Sequence, residues 1–356
     1  MRSLPDRLTV SVDGGAVFTL SWRAVVVCVA LLSLLQPTQA GRTNDDTDDL
    51  AFLQPWFNVE KKDRETLAQR GVVVHGVPAS NKQISVIAVC AVEISPDAFV
   101  ARIRAVGNVK RREVLAGRFG AHPALADLAP LSLDPGDIDR LRVCRPGECA
   151  LNLSSKEMSV LQGALSTDVQ TAFRQVLLDR LRRYQSGGLA ALPEYDDRSE
   201  PVRPAAVFSE ILQQTPYLKR NVPAVAEYLQ TFPPARTAGA ESSLHWSKVN
   251  VNNKAVVMLT HLATFRPESG WRVPTVLTAV KQIYASRYMN GELTLWMLFA
   301  GRHASPAYLV HVNRSQLDEL GGVLSWVKRT AIESRIKQEA AGAMAAFRDR
   351  LEERRH

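Results

Sequence analysis

The chain has few of the residues and spacings that mark known chemistry. Of 356 residues only four are cysteine and seven histidine. They form no C-x-x-C and no H-E-x-x-H, the spacings of redox and zinc sites. A G-x-S-x-G elbow, a phosphate-binding P-loop and a Rossmann glycine set are also missing, so serine hydrolases and nucleotide-dependent enzymes lose their usual signatures. Ser325-Trp326-Val327-Lys328 fits the S-x-x-K pattern of penicillin-recognising enzymes. The K-T-G and S-D-N elements that should accompany it are absent, and so short a pattern often arises by chance. No internal repeat occurs, and the acidic stretch GRTNDDTDDL at 41–50 is the one compositionally biased segment, polar enough to stay unfolded. No metal and no cofactor are expected.

Charge of one sign is not gathered anywhere either. Forty-four Lys and Arg against 36 Asp and Glu give a net charge of +8, yet the basic residues are interspersed with acids. The densest basic run is Lys110-Arg111-Arg112, followed at once by Glu113, and the C-terminal DRLEERRH alternates in sign. Such segments read as solvated faces, which argues against nucleic acid as a partner. Weak contact with an anionic membrane surface or polysaccharide fits the balance better. The sequence names no protein partner.

What is present begins with an export signal. Arg23 precedes the apolar run Ala24–Leu35, and Thr38-Gln39-Ala40 places a small residue before Gly41, as a cleavage site requires. The run is short for a membrane span; an uncleaved anchor is the alternative. Residues 1–40 are therefore expected to be a signal peptide, and the chain to be periplasmic or secreted. The first 40 residues hold three Arg and two Asp, which leaves +7 on a mature chain of 316. In an oxidising compartment Cys144 and Cys149, separated by Arg-Pro-Gly-Glu, suit a small disulfide loop turned by Pro146-Gly147. Zinc is the competing reading, but C-x₄-C without a second ligand pair is poor zinc spacing. Cys90, inside ISVIAVCAVEI, reads as a buried free thiol.

Along the mature chain, residues 41–70 form a helical preamble ending at Gly71. Two strands then flank a turn at Pro78–Asn81, and Ser95-Pro96 starts an amphipathic helix near Asp97–Val106. After punctuated apolar pieces over 113–150, Ser154 or Ser155 caps a long helix. Its apolar stripe runs from Met158 to Tyr184, and Gly187-Gly188 ends it. Phe208–Pro234 holds two helical pieces. Between Leu244 and Asn313 five strand candidates follow one another through short connections, which favours antiparallel pairing. Asn290-Gly291 lies between KQIYASRY and LTLWMLFA and predicts a tight hairpin turn. One long helix, starting near Leu317 or Gly322, closes the chain with a stripe through Val327, Ala331, Ile332, Ile336, Ala340, Ala343, Phe347 and Leu351.

This order resembles the START-like, or polyketide-cyclase-like, superfamily. Gln83–Asn108 looks like its opening strand–helix unit, and Leu244–Leu351 like its closing strands and helix. The resemblance implies an α+β fold over 71–351 in which a curved antiparallel sheet grips the long C-terminal helix around an apolar cavity. A helical insertion at about 113–240 would be an addition to that plan. Members mostly bind lipids, sterols or other apolar molecules, and a minority are enzymes. No functional residue carries over.

The candidate site is therefore read from strand alternation. His261 is either a buried histidine bonded to a neighbour or a donor or general base in the cavity. Tyr284 and Tyr288 serve either sheet packing or a pocket that uses apolar area with one polar tip. His311 lies nearer a strand end, and Trp296 is most simply core. Asn313, Arg314 and Ser315 precede the last helix, where Ser315 would cap it or the group would bind an anion. Lys281 and Arg287 prefer water, so His261, Tyr284 and Tyr288 are expected to face inward, toward the C-terminal helix. The first functional expectation is an exported, non-enzymatic binding protein for an apolar small molecule or lipid. The second is an enzyme of the same fold with a His/Tyr acid–base pair. The third is a structural or partner-binding envelope protein, its cavity filled by its own side chains.

Overall fold

Ten consecutive buried residues, Gln83–Val92, make the strand on which the architecture is organised. A strand with no exposed side is covered on both faces, and here helices supply both covers. The computed structural model describes residues 48–80, 82–106, 110–111, 114–233, 240–251, 254–268, 270, 272–301, 305–318 and 325–353. The expected signal peptide lies outside them.

In chain order, a 3-10 turn at Ala51–Leu53 precedes α1 (Lys61–Ala68), β1 (Val72–Gly76), β2 (Gln83–Val92), α2 (Pro96–Val106), β3 (Lys110–Arg111) and β4 (Val114–Arg118). Helices α3 (Pro135–Leu141), α4 (Ser155–Gly163), α5 (Val169–Gly187), α6 (Pro204–Gln213), α7 (Pro216–Asn221) and α8 (Pro223–Thr231) follow. Then come β5 (Glu241–Val251), β6 (Lys254–Phe265), β7 (Val276–Ala285), β8 (Met289–Phe299), β9 (Ala307–Leu317) and α9 (Ser325–Glu352). The strands form one open sheet in the order β1-β2-β9-β8-β7-β6-β5-β4-β3, with every pairing antiparallel. The fold is α+β, an antiparallel sheet with a long C-terminal helix.

Three boundaries differ from expectation, each for a local reason. Residues 114–118 are not part of a helical insertion: they pair with β5 and widen the sheet. The helix after Ser154 starts as expected, with a capping box in which Glu157 accepts from the Ser154 N–H at 2.8 Å. It breaks at 164–168, because Asp168 caps a new helix by accepting from the Thr171 N–H at 2.9 Å. The 204–231 stretch holds three helices instead of two. Each has proline in its first turn, and Pro216 disfavours helical geometry at Thr215 before it. Of the N-terminal preamble, residues 48–70 are not an appendage. Leu50, Phe52, Leu53 and Trp56 are buried in the main core, where Phe52 stacks on Phe299 at 4.3 Å.

The sheet separates two apolar layers. On one face α4–α8 cover Ile87, Val89, Leu277, Leu295, Met297 and Val310 of the central strands, and Leu259, Ile283 and Tyr284 beside them. On the other, α2 and α9 close over β2: Phe99, Val100, Met344, Phe347 and Leu351 pack against Ala88, Cys90 and Leu309. Helix α9 runs along β1 and β2. Its last turns are pinned there by Glu352, which takes a bidentate pair of bonds from Arg70 (2.7 and 2.8 Å) and one from the Glu93 N–H (2.8 Å). The expected stripe residues Val327 and Ala331, and the side chains of Ser325 and Lys328, lie outside the described part of this helix. Cys144 and Cys149 form the disulfide, with sulfurs 2.10 Å apart, while Cys90 is free and buried, its thiol pushed up to about 12 by desolvation.

The hairpin between β7 and β8 exists, but Asn290-Gly291 does not turn it. The chain reverses at Ser286–Tyr288, with Tyr288 at φ +68°, and both Asn290 and Gly291 sit inside β8 at a bulge between Met289 and Gly291. Packing decides the glycine's place. A Cβ on Gly291 would stand 2.7 Å from Val207 Cγ1 and 3.3 Å from Ile211 Cδ1, so its absence lets α6 approach the sheet.

Candidate functional site

A second bulge assembles the polar centre of the helix-covered face. Between β6 and β7 the pairing moves from Leu259↔Tyr284 to Thr260↔Gln282, which leaves Ile283 as an extra residue on β7. Alternation is reset there. Lys281 and Tyr284, three apart, consequently share a face, and Lys281 stands directly opposite His261. The expectation that Lys281 and Arg287 would mark a water-facing side is overturned. Lys281 is 2 % exposed and Arg287 4 %, the latter with its Nη2 2.5 Å from Asp137 Oδ1. His261 and Tyr284 do face inward, but toward α5 and α8 and not toward α9.

His261 is 1 % exposed and lies between two phenols. Tyr184 Oη is 2.7 Å from Nδ1, and Tyr228 Oη is 3.4 Å from Nε2. Phe232 lies against the ring, centroids 4.4 Å apart. Burial, then the neighbouring Lys281 and His245, pull the imidazole down to about 3, so it is neutral at physiological pH. Burial pushes the Tyr184 phenol well up. Two neutral partners at 2.7 Å are best satisfied with Tyr184 donating to Nδ1, which puts the imidazole proton on Nε2. Lys281 Nζ donates to the Leu229 carbonyl at 2.9 Å and lies 5.0 to 5.7 Å from the ring centroids of Phe208, Tyr184 and Phe232. Desolvation lowers this amine to about 7. Beside His261 opens a cavity of about 420 Å³, walled by Phe119, Phe232, Gln185 and Ser242 with Arg118 among its lining.

One helical turn earlier on α5, Arg180 does for Tyr284 what Tyr184 does for His261. Its guanidinium lies 4.6 Å from the Tyr284 ring centroid and 5.1 Å from that of Tyr195, and Nη2 pairs with Glu157 Oε2 at 2.5 Å. Tyr284 is thus fully enclosed, its phenol shifted far up by burial. Tyr288 is apart from both, half-buried at the hairpin tip. Arg314, also on the helix-covered face, donates to Gln214 Oε1 (3.2 Å), Gln83 Oε1 (3.4 Å) and the Pro78 carbonyl (3.0 Å). It lies within β9, as do Asn313 and Ser315, so Ser315 caps no helix and the three are not at a helix start.

The face shared with α2 and α9 has a different character. Its rows can be followed across the sheet: Leu262↔Val280, Val280↔Thr294 and Thr294↔Asn313 in one, Thr264↔Thr278, Thr278↔Trp296 and Trp296↔His311 in the next. Trp296 stacks against His311 at 4.2 Å and Phe347 at 4.5 Å, and Asn313 Nδ2 donates to Thr294 Oγ1 at 2.9 Å. Toward β6 this face opens. Met258, Thr260, Leu262, Val280, Trp296, His311 and Asn313 are all half-buried, while their neighbours on the other face are sealed. The strip is apolar with hydroxyl, imidazole and amide tips, the composition of a small-molecule site.

The sequence groups His261 with His311 and Asn313, whereas the structure puts His261 on the helix-covered face and the other two on the α9 face; Tyr184, Tyr228 and Arg180, not singled out as site residues from sequence, stand beside His261 and Tyr284. Lys281 was legible: it shares parity with the apolar Leu277 and Ala279. The Arg180–Tyr184 spacing of four, in the middle of an apolar stripe, was a second sign. Among the described residues no His, Cys, Asp and Glu group could hold a metal, and no helix is long and apolar enough to cross a membrane. No protein-family model, no curated protein and no solved structure matches the chain.

Proposed function

We propose that the chain is an exported, non-enzymatic binding protein for an apolar small molecule or lipid, held on the open strip between β6–β9 and the C-terminal helix. The observation that carries this reading is the half-burial of Met258, Leu262, Val280 and Trp296 on one face of β6–β8, where Trp296 meets Phe347 of α9. The part of an apolar side chain that remains in water gains about 25 cal/mol for each Å² that a ligand covers. Thr294, His311 and Asn313 supply the polar tips that would orient it. The START-like reading belongs to the same proposal. It is supported by the pairing of β2 with β9, which brings α2 and α9 onto one face of the sheet. The disulfide and the absence of a membrane-crossing helix among the described residues are compatible with export.

Binding is favoured over catalysis by the state of the polar groups. An imidazole held down to about 3 is a feeble general base at neutral pH, and Lys281, whose amine is near 7, is enclosed by aromatic rings. Extraction of natively purified protein with organic solvent, followed by mass spectrometry, is expected to release one apolar compound in near-stoichiometric amount. An extract no richer than that of a control protein would count against the reading.

A further inference from the structure

The cavity at His261 lies on the opposite face from that strip, and its chemistry is different. We propose that it is a second site, which receives a small monocarboxylate with a flat apolar body. Four observations point there. The space of about 420 Å³ suits a molecule of single-ring size, and Phe119 and Phe232 are among its walls. No acidic residue occurs among its described lining residues, whereas Arg118 does. Behind it Lys281 is buried and, among the described residues, has no ion-pair partner; its one hydrogen bond goes to a backbone carbonyl. Tyr184 Oη stands 2.7 Å from His261 Nδ1, whereas the contact of Nε2 with Tyr228 is a stretched 3.4 Å.

An anion bound next to Lys281 would hold its amine in the protonated form at neutral pH, and in a medium of low dielectric the two attract strongly. A carboxylate needs a small number of convergent donors. His261, Gln185 and Ser242 are among the lining residues and each can donate, and bonds to an ionised acceptor are the stronger kind. A phosphate dianion would bring more charge to desolvate and a third oxygen to satisfy, for which the lining has less to offer. The apolar body would lie between the two phenylalanine rings.

Benzoate is the probe, and benzyl alcohol its neutral counterpart, each titrated by calorimetry into the full chain. Benzoate is expected to bind at least about tenfold more tightly than the alcohol, the difference that a charge-assisted hydrogen bond makes. Arg118→Ser, at an exposed position, should weaken benzoate several-fold, and Lys281→Met should weaken it further, each without changing the alcohol's affinity. Binding should persist in Val280→Glu, which blocks the strip on the other face. Equal affinities for acid and alcohol, benzoate binding indifferent to both Arg118→Ser and Lys281→Met, or no heat from benzoate at about 10 mM would each overturn the proposal.

Discussion

On the helix-covered face of the sheet, His261, Lys281, Arg180 and Arg314 are between 1 and 3 % exposed, yet each has partners supplied by a helix or by a neighbouring strand and loop. On the α9 face the polar groups are mainly Thr294, His311 and Asn313, and several apolar residues around them keep part of their surface in water. The same strands make both surfaces, so strand composition alone does not explain the contrast. What differs is the cover. Six helices between β4 and β5 close the first face, whereas α9 lies along β1 and β2 and leaves β6–β8 partly open. A face that buries charged side chains draws hydrogen bonds for them from its cover. A face that buries mostly hydrocarbon tolerates an unfilled stretch, and a ligand can complete it.

The largest effect that would break this comparison is at Arg180. Glu157→Gln leaves the guanidinium buried with no carboxylate, which should cost about 3–5 kcal/mol. Val280→Ser on the open face should cost less, about 1–2 kcal/mol, since it gives up part of one aliphatic side chain's burial and strands no charge. Urea unfolding of the two variants side by side measures both. Similar costs at the two positions would mean that the faces are not differently built.

A smaller effect sharpens the account of the sealed face. The Lys281 amine is lowered by burial from 10.5 to about 7 in the folded chain. Between those values the unfolded state holds the proton and the folded state does not, so this group makes stability rise with pH; below about 7 both states are protonated and the burial penalty is fully present. The wild type should therefore gain about 2 kcal/mol relative to Lys281→Met between pH 7 and 8.5. Parallel pH profiles of the two proteins would show that Lys281 remains hydrated when folded.

How much of this was legible in the sequence follows from which signals are local. Strand–turn–strand at 72–92, Ser95-Pro96 before α2, the Ser154 cap and the antiparallel run after Leu244 were each written in a few adjacent residues, and each is present in the structure. The Cys144–Cys149 bridge was of that kind too. The failures needed information from elsewhere in the chain. Asn290-Gly291 carries a strong turn signal, but Val207 and Ile211 of α6 require the missing Cβ inside the strand. The bulge at Ile283 reverses which β7 side chains face the helices, and nothing in VLTAVKQIYA marks it. The surroundings of His261 were misread for the same reason: its partners Tyr184 and Tyr228 arrive from helices whose presence is legible locally but whose docking onto this face is not.

The central claim is that the open strip on the α9 face accepts an apolar molecule. Titration of a fluorescent fatty acid into wild type and Val280→Glu tests it most directly, with a thermal melt of each protein as control. The wild type should bind saturably at one site. The variant, which places a carboxylate among Leu262, Thr294 and Trp296, should bind at least about tenfold more weakly with a nearly unchanged melting temperature. Equal affinity in the two proteins, or no saturable binding to the wild type, would contradict the account.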